Sequence, residues 1–181
     1  MADRFAELSS ELAEWWRAQA VFFVATAPLA GEGHVNCSPK GLDTLRIVAP
    51  DRLAYLDLTG SGAETIAHVR ENGRITLMAC AFTGPPRISR VYGRATVHPV
   101  GSPGFIALAP LFPELPGARA VIDVAVESVT TSCGYGVPEF APVGPRSRLV
   151  EWSEAKGEAG LAAYRSRKNV RSIDGLPGVE A

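Results

Sequence analysis

A glycine-rich loop leading into a predicted helix contains the residues best suited to ligand chemistry. Thr59-Gly60-Ser61-Gly62 follows an apolar segment at 53–58, and Ser61 with Glu64 has the spacing of a capping box. Backbone N–H groups and the positive end of the helix dipole meet at such a turn, so an anion can bind there. We therefore predict a phosphate-bearing ligand at residues 59–65, with Lys40 as a candidate second contact.

Each of these residues also has an ordinary structural explanation. Serine and glycine turn and cap many strand-to-helix connections, and Lys40 in a Ser-Pro-Lys-Gly stretch suits an exposed turn. Arg87 and Arg90 follow a Pro-Pro turn at the start of a predicted strand, where edge arginines are common. Because they lie so close to that turn, at least one of them is a candidate to face a ligand groove.

No side-chain arrangement in the sequence indicates a nucleophile or a metal site. His34, His68 and His98 are scattered without metal-ligand spacing, and no Gly-x-Ser-x-Gly elbow or Cys/His pairing is evident. The catalytic residues are therefore unknown at this stage, and no metal is expected. A phosphate-type loop without an obvious acid–base pair indicates that a cofactor carries the chemistry.

Composition restricts the classes of protein that the chain can represent. At 181 residues it is most simply one domain, and its net charge of −1 gives no electrostatic support for a nucleic-acid or membrane-surface role. Three widely spaced cysteines without a CxxC pair suit a reducing cytoplasm. No signal peptide or run of about 18 apolar residues is apparent.

Periodicity and turn residues predict a mainly β chain. The predicted strands lie at 21–26, 35–38, 45–48, 53–58, 74–82, 87–97 and 121–131, and the predicted helices at 5–19, 62–71, 105–112 and 149–167. Short turns join most strands, which argues against a doubly wound parallel sheet. A small antiparallel barrel with peripheral helices fits the pattern better.

Five ordered segments resemble the pyridoxamine 5′-phosphate oxidase-like family of FMN-binding split barrels. They are HVNCSPKG (34–41), YLDLTGSGAETIAHVRENGRITLMACAF (55–82), GPPRISRVYGRA (84–95), TSCGYGVP (131–138) and KNVRSIDGLPG (168–178). The resemblance implies a β+α fold, a six-stranded antiparallel split β-barrel with peripheral helices. It also implies one FMN-binding domain over residues 1–181, of which 141–181 form a C-terminal helix and tail.

The resemblance further implies a homodimer with flavin at its interface and a set of cofactor-binding residues. FMN is the expected cofactor, with F420 or FAD as alternatives. Tyr135 and Gly136 would reach the flavin of the opposite subunit, Arg87 or Arg90 would complete the phosphate clamp, and residues 169–176 would close the pocket. The complete predicted set is Ser38, Lys40, Asp57, Thr59, Gly60, Ser61, Thr65, Arg87, Arg90, Tyr135 and Gly136.

Departures from the family pattern leave the substrate open. The Thr-Gly-Ser-Gly turn has no cation of its own, and no histidine follows His98. The resemblance implies an FMN-dependent oxidoreductase acting on an unidentified small molecule. The alternatives are oxidation of pyridoxamine or pyridoxine 5′-phosphate, a non-catalytic flavin or F420 carrier or sensor, and a plain interaction domain in which the loop is only a capped turn.

Overall fold

The computed structural model describes residues 3–179, in which the strands form one antiparallel sheet. The strands are β1 (Asp3–Phe5), β2 (Phe22–Thr26), β3 (Asn36–Lys40), β4 (Leu45–Ala49), β5 (Arg52–Leu58), β6 (Arg74–Cys80), β7 (Ile88–Pro99) and β8 (Ala118–Ser132). The helices are α1 (Ser10–Arg17), α2 (Glu64–Asn72), α3 (Pro103–Leu108, continued by a 3-10 turn at Ala109–Leu111) and α4 (Arg148–Lys168). The strand order is β3-β2-β6-β7-β8-β5-β4, and β1 pairs with β8.

The predicted fold class, a mainly β antiparallel split barrel with peripheral helices, is confirmed. Residues 3–179 contain eight strands instead of six, and one of the additional strands is the short β1. The predicted helical start at Phe5 is wrong, because Phe5 pairs with Val129 in the sheet. Helix α1 begins at Ser10 instead, where the side chain of Ser9 accepts a hydrogen bond from the Leu12 N–H at 3.2 Å.

Strand β5 is buried on both faces, which explains its nearly continuous apolar sequence. Leu53 and Tyr55 face the main core, whereas Ala54 and Leu56 pack in a second cluster beneath α3. Side chains alternate along a strand, so Asp57 lies on the same face as Tyr55. The strand therefore carries a carboxylate toward the main core.

Strand β3 brings polar side chains to that same interior face. Its pairing with β2 sets Lys40 opposite Phe22, Ser38 opposite Val24, and Asn36 opposite Thr26. Directly paired residues of antiparallel strands share a face, and Phe22, Val24 and Thr26 are buried. The register therefore directs the polar set of β3 inward, while the alternate residues of this edge strand remain exposed.

Among residues 3–179, none of the helices combines the length and the apolar character needed to span a membrane.

The backbones of β7 and β8 approach closely at Gly93, so a substitution there tests the register of these two strands. The pairing shifts register between Tyr92 and Gly93, and a Cβ at Gly93 would overlap the carbonyl oxygen of Ala125. We expect Gly93→Ala to lower the free energy of unfolding by about 1–3 kcal/mol in urea titrations. Gly31→Ala is the matched control, because nothing lies within 4 Å of its added Cβ. Equal midpoints for the two variants would contradict the described register.

Candidate functional site

The carboxylate of Asp57 is completely buried between two cations. Arg119 Nε donates to Asp57 Oδ2 at 2.6 Å, and Lys40 Nζ donates to Asp57 Oδ1 at 3.1 Å. Burial disfavours the ionised form, but the charges and hydrogen bonds of Arg119 and Lys40 outweigh it and lower the pKa of Asp57. The cluster therefore remains charged in the interior.

Arg119 also joins this cluster to the glycine-rich loop. Its Nη1 donates to the carbonyl oxygen of Gly62 at 2.9 Å. Arg119 lies in β8, whose pairing with β5 is irregular between Asp57 and Leu58. Arg119 is not among the predicted site residues. Its one signal in the sequence is a charged residue at the start of a long apolar strand.

A cavity of about 270 Å³ opens beside the loop and the start of α2. It is lined by Asn36, Ser38, Lys40, Leu58, Gly60, Ser61, Gly62, Glu64, Thr65 and Arg119. The capping-box prediction is wrong, because α2 is capped at Ala63 without a side-chain hydrogen bond. Glu64 Oε1 instead accepts from the N–H of Ile173 at 3.2 Å. The first N–H groups of a helix have no intrahelical acceptor, so α2 presents backbone donors at this cavity.

The C-terminal region holds the loop in place from outside the sheet. The Thr59 hydroxyl donates to the Gly117 carbonyl at 2.8 Å and accepts from Arg165 Nη1 at 3.2 Å. Asn169 Nδ2 donates to the carbonyl of Gly60 at 3.0 Å. Asn169 is fully buried, and its Oδ1 has no hydrogen-bond partner among residues 3–179. The segment 169–176, which was predicted to close the pocket, thus contacts the loop at its first residue, Asn169. The Oδ1 atom of Asn169 is an acceptor without a hydrogen-bond donor among residues 3–179.

Thr65 faces a buried polar network beneath α2. Asn36 Nδ2 donates to the Thr65 hydroxyl at 3.0 Å and lies 3.4 Å from the hydroxyl of Thr26. The Thr26 hydroxyl is 3.0 Å from Nδ1 of His68, whose pKa burial lowers. These contacts fix the first turn of α2 against β2 and β3.

The charged residues of the cavity lining sum to a positive value, with two cations, Lys40 and Arg119, and one carboxylate, Glu64. Asp57 pairs with both cations but does not itself line the cavity. A helix start with free N–H donors adds partial positive charge. The site can therefore bind a phosphate group, and its donors match the phosphate-bearing ligand predicted for residues 59–65.

The structure brings together seven of the eleven predicted site residues. Ser38, Lys40, Gly60, Ser61 and Thr65 line the cavity, while Asp57 and Thr59 support it through Arg119, Lys40 and Arg165.

The other four predicted site residues lie away from the cavity in this chain. Arg87 donates to Glu11 Oε1 at 3.2 Å and lies over the ring of Trp15, and Arg90 contacts Ser132 Oγ at 3.4 Å. Tyr135 is 83% exposed, and Gly136 lies in the same exposed loop. The contacts predicted for Tyr135 and Gly136 are with a second chain, the phosphate contact of Arg87 or Arg90 is not formed with the loop in this chain, and all four assignments remain predictions.

Comparisons of sequence match the chain to a known protein family. A family model described as pyridoxamine 5′-phosphate oxidase matches residues 8–133. Over 196 aligned residues the chain is 39% identical to the pyridoxamine 5′-phosphate oxidase family protein ustO of Aspergillus flavus, covering 98% of this chain and 78% of ustO. Lys40, Asp57 and Arg119 lie within the matched range of the family model, whereas Arg165 and Asn169 lie beyond it.

Comparisons of structure show the same fold in bacterial proteins. A HupZ variant from Group A Streptococcus aligns with a TM-score of 0.55 and 20% identity, covering 69% of this chain and 99% of that chain. The FAD binding protein from Mycobacterium smegmatis aligns with a TM-score of 0.50 and 16% identity, covering 70% of this chain and 96% of that chain.

The buried pairing of Asp57 predicts a large effect of neutralising it. We expect Asp57→Asn to lower the free energy of unfolding by about 3 kcal/mol near neutral pH, because it leaves Arg119 charged and buried without its counterion. Glu127→Gln is the matched control, since Glu127 and its partner Arg94 are 56% and 57% exposed and the expected loss is below about 1 kcal/mol. Urea titrations measure both losses.

The difference between wild type and Asp57→Asn should also depend on pH. The folded pKa of Asp57 is lowered, so its ionised form contributes full stability above the ordinary carboxyl pKa of about 4. That contribution is lost as the pH falls through the folded value. The difference should therefore be constant near neutral pH and shrink in acid; a difference that grows in acid would contradict the pairing.

Proposed function

The chain belongs to the pyridoxamine 5′-phosphate oxidase family, and from this premise we propose that it is an FMN-dependent oxidoreductase acting on a small molecule. The observation that carries the proposal is the positively charged cavity at the start of α2, which joins Lys40 and Arg119 to a glycine-containing loop. When bound, FMN supplies a ring that accepts and returns electrons. The protein binds and orients it.

The phosphate end is assigned to the loop and the first turn of α2. Gly62, Glu64 and Thr65 line the cavity there, at a helix start whose first N–H groups have no intrahelical acceptor. The two cations of the lining, Lys40 and Arg119, are hydrogen-bonded to the buried Asp57. A cation anchored in this way loses little conformational freedom when a phosphate binds. The unused acceptor of Asn169 beside Gly60 suits a hydroxyl donor of the ribityl chain.

The titratable groups of the buried cluster are poor proton carriers near neutral pH. Burial and the neighbouring Asp57 charge raise the pKa of Tyr55 well above its ordinary value, and the cations lower the pKa of Asp57. Neither group exchanges a proton readily near pH 7. We therefore assign these residues to binding and positioning rather than to acid–base catalysis.

A homodimer is part of the proposal because the cavity is smaller than a typical ligand pocket of about 300–1,000 Å³. The outer face of the sheet supports this arrangement. Pro39, Phe23, Met78 and Arg90 form one row across β3, β2, β6 and β7, and Tyr92 on the next row is 37% exposed. A second chain on this face would bring Arg87, Arg90, Tyr135 and Gly136 toward its partner's flavin.

A cytoplasmic location is also proposed, supported by the free thiols of the three cysteines.

The phosphate assignment predicts that Lys40 distinguishes FMN from riboflavin. We expect Lys40→Met to weaken FMN binding about tenfold, the effect of losing one charge-assisted contact, and to leave riboflavin binding nearly unchanged. Equilibrium titrations followed by flavin fluorescence measure both affinities, with unfolding midpoints as a check on folding. Lys168→Met, an exposed lysine at the end of α4, should change neither affinity. Wild-type protein without FMN affinity would refute the proposal.

The purified protein also separates the alternatives. Formation of hydrogen peroxide and pyridoxal phosphate from pyridoxamine or pyridoxine phosphate and oxygen would establish the oxidase alternative. A bound flavin or F420 whose spectrum does not respond to reduced nicotinamide or candidate acceptors would indicate a carrier or sensor. The absorbance spectrum and mass of the copurifying molecule distinguish FMN from FAD and F420.

A further inference from the structure

A second and much larger groove shares Lys40 with the phosphate cavity. Its volume is about 1230 Å³, and it lies between the end of α1, the turn after β3 and the start of α4. Its apolar lining comes mainly from Val21, Leu42, Leu115, Leu149 and Trp152. This volume is large enough for a ligand with a sizeable apolar body.

Three arginines around this groove have no counterion. Arg17 comes from the end of α1, Arg146 from the segment before α4, and Arg148 from the first turn of α4. None of the three forms an ion pair or a side-chain hydrogen bond within residues 3–179. Asp43 is the carboxylate in the lining, and both of its oxygens are bonded to Arg46 at 2.8 and 2.9 Å.

The position of Arg148 makes the excess of positive charge at the groove less favourable in free energy. It is the first residue of α4, where the helix dipole already presents partial positive charge and disfavours a cation. Glu151 is the acidic residue of the same first turn, and within residues 3–179 it forms no ion pair with Arg148. Because Arg17, Arg146 and Arg148 are exposed at the groove, an anionic group can reach them without displacing a counterion.

The turn after β3 carries backbone strain that the fold maintains. Leu42 and Asp43 have φ angles of 59° and 55°, in the left-handed region that non-glycine residues rarely occupy. The buried Thr44 holds this turn: its hydroxyl donates to the Gly41 carbonyl at 2.7 Å, and its carbonyl accepts from Leu56 N at 2.9 Å. The result is a leucine side chain in the wall of the groove.

From this combination we propose that the groove binds an organic anion with an apolar, aromatic-sized body. Its anionic group contacts Arg146 and Arg148, and its body packs along Leu149 and Trp152. Lys40 lines both cavities, so the far end of such a ligand lies next to the phosphate cavity. Resting on the proposed function, this ligand class is the substrate class of the flavoenzyme.

Two probes that share one ring system test the charge requirement. The probes are 8-anilino-1-naphthalenesulfonate and its neutral analogue N-phenyl-1-naphthylamine, titrated calorimetrically into the full chain. We expect one site per chain for the sulfonate and at least tenfold weaker binding of the amine. Equal affinities, or no binding of the sulfonate, would overturn the proposal.

Arginine variants locate the site. Arg146→Gln with Arg148→Gln should weaken sulfonate binding at least tenfold and leave the amine unchanged. The matched control is Arg4→Gln with Arg167→Gln, which removes the same charge from exposed arginines outside the groove and should change neither affinity. Equal losses in the two double variants would overturn the proposal, since they would indicate a general charge effect. Unfolding midpoints confirm that each variant is folded.

Repeating the sulfonate titration in the presence of FMN tests the groove separately from the proposed flavoenzyme function. Adding saturating FMN should leave sulfonate binding in place, whereas displacement of the sulfonate by FMN would overturn the proposal by assigning the groove to the flavin itself. If the protein has no affinity for FMN but binds the sulfonate as expected, the proposed flavoenzyme function fails and the anion groove stands.

Discussion

The rest of the structure depends on the neutralisation of one buried carboxylate. Asp57 is placed toward the core by the alternation of β5, and a buried unpaired charge would cost several kcal/mol. Its two partners come from strands that do not neighbour each other, Lys40 from β3 and Arg119 from β8. The pairing therefore constrains how the two ends of the sheet approach, and it sets the cations at the mouth of the phosphate cavity.

Lys40 of this cluster belongs to the lining of two cavities of different character. In one, the loop at Gly60 and Gly62 and the start of α2 enclose a small polar cavity. The other is a large apolar groove that carries arginines without counterions. Lys40 lines both, and its ammonium is already paired with Asp57.

Local patterns were sufficient for most elements, and together with the family resemblance they named seven residues that lie at or beside the cavity. The helix predicted at 62–71 ends within one residue of α2, which is followed by Gly73 at a φ of 71°, and the predicted loop at 59–62 lies beside the cavity. Ser61 was assigned the wrong role, because Ala63 became the cap and the C-terminal segment took the side chain of Glu64. That contact joins residues 109 positions apart, and turn chemistry carries no information about it.

The sequence alone determined the family resemblance, the antiparallel β class and the position of the glycine-rich loop. These follow from alternation, turn residues and short motifs, which are properties of neighbouring residues. Only the tertiary structure decided that Arg119 neutralises Asp57, that Arg165 and Asn169 hold the loop, and that Arg87 pairs with Glu11. The reason is physical: strand register and helix docking choose the partner of a charge, and both depend on contacts between segments far apart in the chain.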